Sequence, residues 1–322
     1  MDSNLSHELM QRRGNQRIMA KSGTFETIRR AILEDQIVFF LGAGASLSPA
    51  FDYENQSWAP DSGVAPSAAN LSAELLRGSN IDTSEIACLE LPRIASLYEA
   101  CRSRGELRNE MERLFGRCKK PLPLHEYLSK LDSHPIIVTT NFDDLIERQF
   151  DKVGKEYDLL LYAADGAGES NKRLHLSLAS GGGKIETGFA SNELARCLKL
   201  GEKPLIYKIH GSIGNTRNRL RPGHFVITER DYEEIIAKGS YLLPPALLER
   251  FDYRHFLFLG YSVRDWNIRV LLRKLLNETR HQTSWAILAK SDEVAMRTWG
   301  RRSLEVVTAT IQEFLTGVGY GC

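Results

Sequence analysis

Cysteine is scarce in this chain, and what there is does not pair. The 322 residues hold five cysteines, Cys88, Cys101, Cys118, Cys197 and Cys322. Their number is odd and no two form a C-x-x-C pair, which argues against a full disulfide framework. They read as buried or idle thiols of a reducing, cytoplasmic compartment. Long hydrophobic runs are also missing. Runs such as IVFFL at 37–41 and FLFLG at 256–260 fall far short of the roughly 20 apolar residues of a membrane-spanning helix. The opening segment MDSNLSHELMQRRGNQRIMAKS lacks the apolar stretch of a signal peptide. Net charge is nearly absent: 42 Lys+Arg against 41 Asp+Glu leave +1. That weighs against holding nucleic acid by bulk electrostatics, so no direct sequence-specific binding of nucleic acid is expected. A 42% hydrophobic and 26% charged composition is globular, and the length allows one large domain or two smaller ones.

What is present is a rhythm of short apolar runs. IVFFL at 37–41 reads as a fully buried strand, followed by IIVTT at 136–140, LIYKI at 205–209, FLFLG at 256–260, WAILA at 285–289 and a weaker EVVTA at 305–309. Helical spacing fills most intervals, as in Leu107–Phe115, Leu145–Phe150 and Ile268–Leu276. Before the first strand, Phe25, Ile28, Ile32 and Leu33 fall on one helical face. Buried strands alternating with helices predict an α/β fold: a Rossmann-like parallel sheet with helices on both faces. Two segments break the rhythm. Residues 48–70 read as a long loop. Residues 151–203, with Gly166, Gly168 and Gly181-Gly182-Gly183, read as a smaller helical or irregular insert. Residues 1–21 read as a flexible N-terminal segment, 22–310 as the domain and 311–322 as a C-terminal tail.

Four polar clusters directly follow buried strands. Gly42-Ala43-Gly44-Ala45-Ser46 follows the first. Its glycines allow a tight turn and close approach to a pyrophosphate, although Leu47 stands where a third glycine of G-x-G-x-x-G belongs. The plain alternative is a strand-to-helix turn without a ligand. Thr139-Thr140-Asn141-Phe142-Asp143-Asp144 follows the second, with Asn141 and Asp143 at a sheet edge where α/β folds bind ligands, or else as caps of the next helix. Lys208-Ile209-His210-Gly211-Ser212 puts a histidine, a candidate acid or base, at that edge. Gly260-Tyr261-Ser262-Val263-Arg264-Asp265 ends the fourth, with Asp265 reading as a helix cap.

The order G-A-G-A-S, T-x-N-x-D, H-G, G-x-S resembles the sirtuin family of NAD-consuming enzymes. The forms TTNFDDLIE, YKIHGSIG, ITERDYEE at 227–234 and GYSVRDWNIRVLL at 260–272 are similar to its bacterial branch, the sirtuin-like NADases of antiphage defence. The likeness spans roughly residues 30–310. Two departures stand out. The two C-x-x-C pairs of the sirtuin zinc module are missing, so no zinc ribbon and no metal are expected. The G-I-P-D-F-R loop is missing too, with Gly63-Val64-Ala65-Pro66 its nearest counterpart.

The resemblance implies an NAD⁺ glycohydrolase that takes NAD⁺ as substrate and gives nicotinamide and ADP-ribose. It implies Asn141, His210 and Asp143 as catalytic residues. For NAD⁺ contact it implies Gly42, Ala43, Gly44, Ala45 and Ser46 at the pyrophosphate, Thr140 and Phe142 beside Asn141, and Gly260, Tyr261 and Ser262 at the adenosine ribose. Two alternatives stand beside it: an NAD-dependent protein deacylase, against which the missing zinc pairs weigh, and a catalytically silent module that senses NAD⁺ or ADP-ribose. In related defence systems such domains oligomerise and are paired with a HerA-type ATPase, an Argonaute-like protein or a fused sensor. A homo-oligomer gated with a HerA-type ATPase partner is the expectation, with the 48–70 loop and the 151–203 insert as candidate gating surfaces. No membrane association is expected.

Overall fold

The computed structural model describes residues 21–53, 55, 57–79, 90–116, 118, 120–162, 174–177, 185–189, 194, 197–198, 200–213, 225–237, 243–261, 282–290 and 304–321. All six strands expected from the apolar runs form: β1 (Ile37–Leu41), β2 (Ile136–Thr139), β6 (Leu205–Lys208), β7 (His255–Leu259), β8 (Ser284–Leu288) and β9 (Leu304–Thr308). Three more lie inside the segment expected to be helical or irregular: β3 (Asp158–Tyr162), β4 (Leu174–Ser177) and β5 (Ile185–Phe189). The sheet order is β5-β4-β3-β6-β2-β1-β7-β8-β9. From β3 to β9 every pairing is parallel, while β4 and β5 continue the edge in antiparallel fashion. The Rossmann-like parallel sheet is therefore as read from the sequence, and the 151–203 insert extends that sheet.

The sheet is covered on both faces because its central strands carry apolar side chains on both sides. In β1, Val38 and Phe40 enter one core together with Val138, Tyr207 and Phe258. Ile37, Phe39 and Leu41 enter the opposite core with Ile137, Ile206 and Leu257. That alternation is the two-residue period of a strand. Each such side chain, fully buried, contributes about 1.5–3 kcal/mol. On the second face lies helix α1, residues 21–33. It buries Phe25, Ile28, Ala31 and Ile32, but Leu33 is exposed, so that residue does not share the apolar stripe.

The helical satellite lies earlier in the chain than the 151–203 insert. Helices α2 (Ala68–Ser79), α3 (Leu91–Cys101) and α4 (Arg104–Phe115) bury Leu71, Leu75, Ile94, Tyr98, Leu107 and Met111 in a third cluster. Phe142, Ile213, Phe225 and Ile227 join them from the sheet edge. The 48–70 segment that leads in is tied down: Trp58 Nε1 donates to the Val64 carbonyl at 3.2 Å and Tyr53 Oη to that of Ala65 at 2.8 Å. Helices α5 (Pro123–Lys130) and α6 (Leu145–Lys152) flank β2, and α7 (Glu229–Ala237) and α8 (Pro245–Phe251) precede β7.

Residues 311–322, expected as a tail, begin instead with helix α9 (Ile311–Gly317). Its Phe314 and Leu315 are wholly buried, and Phe314 packs edge-on against Phe25. Thr310 and Glu313 form a capping box that starts this helix. Among the described residues no helix is long and apolar enough to cross a membrane.

Candidate functional site

Register brings the four polar clusters to one place. Leu41 of β1 is paired with Thr139 of β2 and Leu259 of β7, and Thr139 with Lys208 of β6. These four residues form one row, and each is followed by its motif. Gly42 N–H donates to the Leu259 carbonyl, Thr140 N–H to that of Leu41 and Ile209 N–H to that of Thr139. From β1 the chain moves to β2 on one side and later to β7 on the other. The crevice between β1 and β7 is thus a topological switch point, where α/β sheets bind ligands.

The glycine loop has a tight structural cause. Residues Ala43–Ser46 form a single 3-10 turn. A Cβ on Gly42 would stand 2.8 Å from the Gly260 oxygen and from the Tyr261 ring, and one on Gly44 would stand 2.8 Å from the same oxygen. Gly260 has φ of +71°, and a Cβ there would come 2.1 Å from the Ala45 nitrogen. Gly44 N–H donates to the Gly260 carbonyl at 2.8 Å and Ala45 N–H to that of Gly42 at 2.9 Å. The turns after β1 and β7 therefore touch backbone to backbone.

A cavity of about 700 Å³ opens over this edge. Ala43, Gly44, Ala45, Ser46, Thr140, Asn141, Phe142, Asp143, His210, Gly260 and Tyr261 line it. Of the residues implied by the sequence, Gly42 lies behind that lining as the turn's N-cap. Ser262, Asp265 and the helix expected at 268–276 lie outside the described residues. The helical satellite contributes Leu71, Leu91 and Phe115 to the wall, and Thr310, Ile311 and Leu315 close the far side.

Asn141 is held from two sides. Its N–H donates to Thr139 Oγ1 at 3.0 Å, and its Nδ2 to Ser46 Oγ at 2.9 Å. Its Oδ1 is buried and has no partner among the described residues. An unsatisfied buried acceptor is costly, and this one belongs to a residue that lines the cavity. Neither Asn141 nor Asp143 is the N-cap of the next helix, which is Asp144; Asp143 lies one residue before it, and its Oδ1 accepts from Leu145 N–H at 3.2 Å. Asp144 pairs with Arg148 at 2.6 Å.

His210 is 7% exposed and its ring stands edge-on to Tyr232 at 5.3 Å. Burial pushes its pKa down from 6.5 to about 4, with the nearby negative charge of Asp231 opposing. The imidazole is neutral at pH 7, the form that can accept a proton. Asp231 is itself organised: it accepts from the N–H groups of Ile227 and Thr228 at 2.9 Å each, and pairs with Arg104 of α4 at 3.0 Å. This gives the ITERDY segment its structural sense, since it anchors the helix that carries Tyr232.

One buried element was missed in the sequence. Lys208 and Glu147 form an ion pair of 2.9 Å with side chains 0% and 3% exposed. A lysine within the apolar run LIYKI was the available signal, because a charge in a doubly covered strand requires a partner. Among the described residues no group of His, Cys, Asp and Glu could hold a metal ion, and Cys101, Cys118 and Cys197 are free thiols.

NAD(+) hydrolase ThsA of Acinetobacter baumannii (strain 532279) is 28% identical over 243 residues, covering 74% of this chain and 39% of that protein. The chain thus spans well under half the length of that relative. A chain solved under the description "Structural Basis for the Mechanism and Regulation of Sir2 Enzymes" superposes with a TM-score of 0.38 and 15% identity, covering 91% of this chain and 94% of the other. The family model described as SIR2-like domain matches residues 135–307, more than half of the chain and including the Asn141, His210 and Gly260 motifs, and the protein belongs to the SIR2-like family.

Proposed function

We propose that this protein is an NAD⁺ glycohydrolase. The observation that carries the reading is the joint placement of a buried, unpartnered Asn141 oxygen and a neutral His210 in one cavity, beside a glycine turn at the switch point. The likeness to a protein named NAD(+) hydrolase supports it. A cavity of about 700 Å³ is within the range of roughly 300–1,000 Å³ usual for ligands of this size class.

The reaction consumes one water and breaks the bond between nicotinamide nitrogen and ribose C1′. Nicotinamide leaves as a neutral group, so it needs no proton. The second product is ADP-ribose, and one proton is released. Positive charge develops on the ribose in an oxocarbenium-like transition state. The Asn141 oxygen, with a partial negative charge and a fixed direction, is suited to hold a ribose hydroxyl or the attacking water. His210 accepts the proton from that water or hydroxyl. Asp143, also on the wall, adds negative charge that favours the cation. Ala43 to Ser46 and Gly260-Tyr261 present backbone close enough for the pyrophosphate and adenosine ribose.

Chromatography of NAD⁺ incubated with the purified chain tests this. Nicotinamide and ADP-ribose in equal amounts are expected. Intact NAD⁺ under all conditions would reject the reading. Cyclic ADP-ribose would replace hydrolysis by cyclisation, and O-acetyl-ADP-ribose formed with an acetylated peptide would replace it by deacylation.

The same reading extends to cytoplasmic antiphage defence by NAD⁺ depletion, gated by self-assembly or by a HerA-type ATPase partner. Its support is the family resemblance and the toxicity of unrestrained NAD⁺ loss. A purified monomer with full activity and no partner would reject the gating.

A further inference from the structure

The Lys208–Glu147 pair lies beneath the site and is used by none of the steps above. Lys208 ends β6, two residues before His210, and is wholly buried. Glu147 is on the first turn of α6. Burial pushes the Glu147 carboxyl pKa up and the charge of Lys208 opposes it. A buried ion pair is on average no more stabilising than apolar residues of the same volume, so stability alone gives no reason for this one.

The backbone does. Loop 140–144 carries Asn141 and Asp143, and its carbonyls must find donors. Asp144 starts the α6 ladder by accepting from Arg148 N–H at 2.9 Å, and Phe142 accepts from Ile213 N–H at 3.1 Å. The Asp143 carbonyl is one residue too early for the helix, and it accepts from Lys208 Nζ. The same ammonium donates to Glu147 Oε1 at 2.9 Å. One side chain of the His210 strand thus pins the peptide that carries Asp143, while itself lying outside the cavity lining.

We propose that Lys208, with Glu147 as its counter-charge, is a positioning residue of this site: its bond to the Asp143 carbonyl fixes that peptide and so sets Asn141 and Asp143 relative to His210. The proposal rests on the NAD⁺ glycohydrolase reading for its catalytic consequence.

The test compares the whole chain with Glu147→Gln and with the double variant Lys208→Met/Glu147→Leu. Measured are NAD⁺ turnover, melting temperature and hydrogen exchange across 140–146. Glu147→Gln keeps Nζ on the Asp143 carbonyl, so it is expected to lower the melting temperature and retain kcat. The double variant removes both charges and is expected to melt near the wild type. It should still lose about 100-fold in kcat, the scale of a small misplacement, with KM little changed and exchange at 140–146 faster. Turnover should therefore follow the lysine and not the melting temperature. Wild-type kcat and exchange in the double variant would overturn the proposal. So would turnover that follows stability across the two variants, or failure of the double variant to fold, since the pair would then serve stability. If the wild type leaves NAD⁺ intact, the functional reading falls, and the exchange measurement decides the positioning role alone.

Discussion

Acid should unfold this protein through two histidines. His125 is wholly buried, accepting from Leu122 N–H at 2.9 Å, and burial lowers its pKa to about 4. His210 is lowered to about 4 for the same reason. Above pH 6.5 both are neutral in the folded and unfolded chain, and stability does not depend on them. Below 6.5 the unfolded chain binds two protons that the folded chain refuses, so stability falls with pH until about 4. A gap of about 2.5 units, at 1.36 kcal/mol per unit, makes each histidine responsible for a loss of about 3 kcal/mol. Together they approach the net stability of about 5–15 kcal/mol of an ordinary domain. The assay is urea unfolding at several pH values, followed by tryptophan fluorescence. From pH 6 to pH 5 the two histidines should together lower the unfolding free energy by about 2.3 kcal/mol, somewhat less than two full protons' worth. His210→Gln should halve that slope. An unchanged slope in His210→Gln would refute the burial argument, since the raised carboxyl of Glu147 opposes the histidines in the same interval and is common to both proteins.

The same shift fixes the pH profile of activity. The acid limb of kcat/KM should lie near pH 4, not near 6.5; a fall in rate centred at 6.5 would overturn the burial shift at His210. Asn141→Ala and His210→Ala should each lose at least about 10²-fold in NAD⁺ cleavage while keeping the wild-type circular dichroism spectrum. Ser46→Ala frees the Asn141 amide, and is expected to lower kcat more than it raises KM. Gly260→Ala should lower the urea midpoint, because left-handed backbone alone costs a side chain about 1–2 kcal/mol and the new Cβ meets the Ala45 nitrogen. Dialysis against a strong chelator should leave turnover unchanged, and a loss restored by zinc would overturn the expectation that no metal takes part.

Most of the parallel sheet was legible because each strand is a short apolar run between turn residues. The site was legible for a related reason: its motifs follow those runs, and a parallel register must then put them on one edge. Strand β3 was missed although Leu159, Leu160 and Leu161 are all buried. It stands next to a glycine-rich stretch, and composition there outweighed the apolar run LLLYAA at 159–164. Helix α9 was missed because seven residues carry too few turns for a clear period, and its burial comes from α1 and α5 through tertiary contact. The anchoring of Asn141 by Ser46 joins positions 95 apart in sequence. No local pattern encodes such a bond.

The interlocked turns after β1 and β7 bear on how relatives of this chain should be read. Gly42, Gly44 and Gly260 are needed for the two strand ends to meet at all, whether or not a dinucleotide ever binds between them. A descendant that had given up catalysis would still need them to keep its sheet closed. The glycines therefore identify the scaffold, and on the proposed reading inactivation would be sought at Asn141 and His210, which can change without parting the strands.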